Sequence, residues 1–67
     1  MELSARNQLR GTVKSVTVEG LMAEVVIDVG GQEMASTITR ASAERLGLKN
    51  GDAVVAIIKA SEVLIGK

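Results

Sequence analysis

Not one of the 67 residues is a Cys, a His or an aromatic, and that absence limits the possible folds more than anything the chain contains. A domain this small buries only about 60% of the surface its unfolded chain exposes. Small domains usually compensate with disulfides, a structural metal or association with further copies. Cys and His are the side chains that would make the first two, so association is left. The apolar residues, 46% of the chain, are all Val, Ile, Leu, Met or Ala, each with less area to bury than an aromatic. A homo-oligomer whose subunit contacts complete the core is the expectation.

Eight basic residues balance eight acidic ones. A nucleic-acid binder normally shows a basic patch and aromatic stacking platforms, and neither is present, so no nucleic-acid partner is expected. No basic segment followed by an apolar one opens the chain, which argues against a secretory signal. The longest apolar run, Ala53 to Ile58, falls far short of the roughly 20 residues that span a bilayer. A cytoplasmic protein without membrane contact is expected, with residues 1–67 forming a single domain.

Glycines divide the chain. Glu19-Gly20, Gly30-Gly31 and Asn50-Gly51-Asp52 read as turns between segments rich in β-branched residues. Leu9 to Val18 is a first strand whose apolar parity shifts between Val13 and Val16, as a bulge or strong coiling would cause. Leu21, Ala23, Val25, Ile27 and Val29 alternate along a second strand, and Met34, Ser36 and Ile38 share one face of a third, Gln32 to Thr39. Thr39 to Gly47 is the only helical signal, with Thr39 suited to the N-cap, Gly47 to the C-terminal stop, and Ala43 and Leu46 to a buried stripe. Ala53 to Ile58 is apolar on both faces, as in a strand covered on each side, and Glu62 to Ile65 is a short last strand. The expected fold is mostly β: a five-stranded barrel of the OB type with one short helix between strands 3 and 4.

With neither His nor Cys, the usual general base, thiolate nucleophile and transition-metal ligands are missing. The acidic residues are scattered singly, without calcium-loop spacing, and no phosphate-loop or dinucleotide motif occurs. No enzyme activity, no cofactor and no directly ligated metal cation are expected.

What the chain does contain is three segments that join hydroxyls to positive charge or free backbone donors. Ser4-Ala5-Arg6-Asn7-Gln8 precedes the first strand, Thr39 and Ser42 stand at the helix start, and Lys59-Ala60-Ser61 follows the apolar strand. Each alone has an ordinary explanation: a solvated terminus, simple N-capping, a lysine at a strand end reaching solvent. Together they supply two cations and several hydroxyls with no carboxylate among them. A tetrahedral dianion needs such a shell once its water is removed.

Ser4-Ala5-Arg6-Asn7-Gln8-Leu9 with Gly11 beyond it, Ile38-Thr39 with Ser42 leading to Leu46-Gly47, and Ile58-Lys59-Ala60-Ser61-Glu62-Val63 occur here in an order and spacing that resembles the molbindins, small cytoplasmic molybdate-binding proteins. The resemblance covers nearly the whole chain. It implies a molybdate site lined by Ser4, Arg6, Thr39, Ser42, Lys59 and the backbone N–H of Ala60, with Ser61 as a further candidate. Arg6 and Lys59 would neutralise charge while hydroxyls and amides set the geometry. It also implies a hexamer built as a trimer of dimers, sites shared between subunits, and additional sites near the three-fold axis, for which Asn7 and Gln8 are candidates.

The function expected is binding of molybdate, and of tungstate, for intracellular storage, buffering and molybdenum homeostasis. The alternative is an oxyanion-sensing domain that signals to a partner protein.

Overall fold

The computed structural model describes the whole chain, Met1 to Lys67. Strands β1 (Asn7–Glu19), β2 (Met22–Val29) and β3 (Gln32–Thr39) are followed by helix α1 (Arg40–Leu46), strand β4 (Ala53–Ile58) and a single 3-10 turn at Ala60–Glu62. The four strands form one antiparallel sheet in the order β3-β2-β1-β4. Gly20, Gly30 and Gly31 carry the positive φ angles of the two tight hairpin turns, conformations that glycine adopts without steric cost.

The parity shift in β1 is a bulge. Val13 pairs with Ile27 and Ser15 with Val26, which leaves Lys14 as the extra residue. One inserted residue turns the rest of the strand over, so Val13 and Val16 both fall on the side of their partners Ile27 and Val25. Without the bulge one of the two valines would point to solvent.

β1 also makes the sheet curl. Its first half, Asn7 to Thr12, pairs with β4, and from Thr12 onward it pairs with β2. Where the two ladders meet, β2 crosses so close to Gly11 that a Cβ there would stand 2.5 Å from Ile27 Cγ2 and 2.6 Å from the Asp28 carbonyl oxygen. Glycine permits that approach because it has no side chain. Val13, Val25, Ile27 and Ala56 form the buried cluster inside the curl, with Val16, Val29, Met34, Ile38, Leu48 and Val54 packed against it.

Helix α1 is capped at both ends as its sequence implies. Thr39 Oγ accepts the Ser42 amide, and Gly47 closes the helix in the left-handed conformation. The Leu48 amide donates to the Ala43 carbonyl and the Gly47 amide to that of Glu44, the paired bonds of a Schellman motif. That turn brings Leu48 onto the core in the place expected for Leu46, which is 67% exposed while Ala43 is buried.

The expected five-stranded barrel is not formed: the sheet has four strands and stays open, with β3 and β4 as its edges. After Ile58 the backbone winds into the 3-10 turn, where the Glu62 amide donates to the Lys59 carbonyl. Val63 to Ile65 then continue without pairing, leaving Leu64 and Ile65 about nine-tenths exposed. The β-branched residues favour extended backbone, but a strand also needs a partner to bond to, and this segment pairs with neither edge strand. Leu21, expected at the start of the second strand, belongs to the turn and is exposed. β4 is covered on one face only, since Val55 and Ile57 are exposed whereas Ala56 is buried.

Candidate functional site

The β1–β4 register sets one half of the site. Asn7 pairs with Ile58 in the last rung, so Arg6 and Lys59 stand just beyond it at adjoining strand ends. Ser4 and Ser61 lie two residues further out along the same two segments, and both are exposed. The bond from Gln8 Nε2 to the Ala5 carbonyl, 2.6 Å, folds the segment between Ser4 and Gln8 onto itself. Gln8 thereby has a local role, and Asn7 is part of the ladder.

The 3-10 turn contributes backbone donors. With the Lys59 carbonyl engaged by the Glu62 amide, the Ala60 and Ser61 amides stand at the start of the turn without a partner inside it, as the first amides of any helical turn do. Neither Arg6 nor Lys59 forms an ion pair; the two pairs in the chain are Lys14–Glu33 and Arg40–Glu44.

The helix start makes the other half. Thr39 holds extended backbone, its Oγ accepts the Ser42 amide at 3.1 Å and donates to Ser42 Oγ at 2.8 Å. Arg45 Nη2 also donates to Ser42 Oγ, at 3.3 Å. Arg45 was not among the residues singled out from the sequence, although its spacing of three from Ser42 is that of neighbours on one helix face. Arg40, by contrast, is tied to Glu44 by a bond of 2.8 Å.

The two halves are not joined within one chain. Thr39 pairs with Met22, which pairs with Glu19, at the opposite end of the 13-residue β1 from Asn7. No hydrogen bond connects Thr39 or Ser42 to Ser4, Arg6, Lys59, Ala60 or Ser61.

The largest cavity is a different feature. About 820 Å³ in volume, it lies inside the curl and is lined mainly by aliphatic side chains such as Val25, Ile27, Ile38 and Ile58, and by none of Ser4, Arg6, Thr39, Ser42, Lys59, Ala60 or Ser61. A mainly apolar lining replaces little of a dianion's water. No helix is long and apolar enough to cross a membrane.

A family model described as the TOBE domain matches residues 3–65. Molybdenum-pterin-binding protein 3 of Clostridium pasteurianum is 44% identical over 66 residues, covering 97% of each chain. Among solved structures, a molybdate-binding protein from Sporomusa ovata superposes with a TM-score of 0.95 at 40% identity over 100% of both chains. The cytoplasmic molybdate-binding protein ModG, solved with molybdate bound, superposes at 0.91 with 45% identity, over 96% of this chain and 46% of that one. A likeness that runs end to end, in sequence and in the curl of the sheet alike, decides the relationship: the chain belongs to the TOBE domain family, alongside the small molybdenum-pterin-binding proteins.

Proposed function

We propose that this chain binds molybdate, and tungstate in the same way, as an intracellular store or buffer. The observation that carries this is the set of cations without a carboxylate partner, Arg6 and Lys59, and of hydroxyls at Ser4, Thr39, Ser42 and Ser61, with the Ala60 amide, in a chain with a full-length molybdate-binding relative. Arg6 and Lys59 balance the dianion's charge through charge-assisted hydrogen bonds, and the hydroxyls and amides fix where its four oxygens sit. The shell holds the anion without changing it, so the role is binding and not catalysis. Residues 1–67 act as one domain, in the cytoplasm.

The separation of the two halves supports a site assembled from more than one copy. Arg6 and Lys59 of one subunit meet Thr39 and Ser42 of another, in a hexamer arranged as a trimer of dimers, with Asn7 and Gln8 as candidates for further sites near the three-fold axis. Only six residues are buried in the single chain, which fits a core completed by association.

Titration calorimetry with molybdate, tungstate and sulfate tests the reading. Molybdate and tungstate should bind similarly and sulfate much more weakly, because a rigid shell of donors discriminates by oxygen position more than by charge. Equal affinity for sulfate would leave only a generic anion site.

A further inference from the structure

Ser42 Oγ makes two side-chain hydrogen bonds, one with Thr39 Oγ at 2.8 Å and one accepted from Arg45 Nη2 at 3.3 Å. A hydroxyl carries one proton and two lone pairs. Because Arg45 can only donate, one Ser42 lone pair faces it and the Ser42 proton lies on the side away from it. The Ser42 hydroxyl at the helix start is therefore held from behind, with its proton free to turn toward an incoming anion.

The two arginines of α1 divide their work. Arg40 is matched by Glu44, so its charge is largely answered within the helix. Arg45 has no carboxylate partner, and the polar group it meets is Ser42 Oγ. Resting on the reading that Ser42 faces the bound oxyanion, we propose that Arg45 is a positioning residue of the site, holding the Ser42 hydroxyl so that its proton is presented to the anion. A guanidinium suits this task because it can donate and never accept; it cannot compete for the Ser42 proton.

The rival explanation is that Arg45 merely places a positive charge in the last turn of the helix, where it complements the dipole. A double-mutant cycle on the full-length protein separates the two, because residues that act through one another are non-additive. Molybdate affinity is measured by calorimetry for the parent, Arg45→Gln, Ser42→Ala and the double variant. Arg45→Gln should weaken binding about tenfold in the parent, as expected when one hydrogen bond to a charged group is lost, and by less than about twofold in the Ser42→Ala background. An equal loss in both backgrounds, or none in the parent, overturns the proposal. Should Arg45→Gln fail to fold, Arg45→Met takes its place, since it keeps much of the side chain's length and removes the donor; the same two outcomes decide. A parent that binds molybdate while Arg45→Gln binds equally well removes this role for Arg45 and leaves the proposed function standing. A parent that does not bind molybdate removes both.

Discussion

Arg6 and Lys59 occupy adjoining strand ends, one residue beyond the Asn7–Ile58 rung that closes the β1–β4 ladder. The ladder thus brings together two cations that are more than fifty positions apart in the sequence. Neither is answered by a carboxylate.

Replacing either cation should therefore weaken molybdate binding without unfolding the chain. Arg6→Ala and Lys59→Ala are each expected to cost about 1.5 to 3 kcal/mol, the range for hydrogen bonds to charged groups. Calorimetry measures the affinity, and far-ultraviolet circular dichroism checks the fold. If both variants bind like the parent, the anion sits elsewhere.

Thr39→Val should act mainly on stability. Thr39 Oγ caps α1 through the Ser42 amide, and loss of such a cap costs about 1 kcal/mol. Because the hydroxyl is a neutral donor, its loss should reduce affinity less than Arg6→Ala does. Urea unfolding and calorimetry on the same preparation give both numbers; an affinity loss as large as that of Arg6→Ala would mean that Thr39 contributes as much to the shell as a cation does.

Gly11→Ala tests the curl. The added methyl would stand 2.5 Å from Ile27 Cγ2 and 2.6 Å from a backbone oxygen, and the backbone oxygen cannot swing away as a side chain can. Overpacking of this kind costs about 1 to 3 kcal/mol. A parent-like urea midpoint would show that the two strands can separate freely at this point.

Lys14 and Glu33 link the bulge of β1 to the start of β3. The hydrogen bond to Glu33, and then the attraction of its charge, raise the Lys14 pKa above the ordinary 10.5. A raised lysine pKa contributes stability that is complete below the unfolded value and is lost as pH rises through the folded one. The thermal midpoint of the parent should exceed that of Glu33→Gln at neutral pH by a small, salt-sensitive margin. That margin should disappear at a pH above 10.5. A margin unchanged at high pH would show that Glu33 acts by packing and not by charge.

Leu21, Leu46, Leu64 and Ile65 are each at least two-thirds exposed, more apolar side chain than a single small domain would keep in water. Native mass spectrometry at micromolar concentration should find hexamers and little free monomer. A folded monomer as the main species would contradict the proposed shared sites as well as the assembly.

Local features were legible in the amino-acid order because local physics decides them. The alternation of Ala23, Val25 and Ile27, the parity shift around Lys14, and the caps at Thr39 and Gly47 each depend on side-chain period, on the conformations a residue tolerates, or on a bond a few positions away. That three segments join hydroxyls or cations without a carboxylate was legible as well, because residue types and their spacing need no fold to be read. What depended on distant partners was settled only by the tertiary structure. Glu62 to Ile65 has the composition of a strand but pairs with neither edge strand, so it stays outside the sheet. Leu46 matched the helical stripe as well as Ala43 did, yet the turn at Gly47 gave the core position to Leu48. The sequence determined which groups the chain offers an anion; the register of β1 with β4 and the turns of α1 decided which of them stand together, because neighbours across a sheet or along a helix face are set by backbone geometry that no single segment contains.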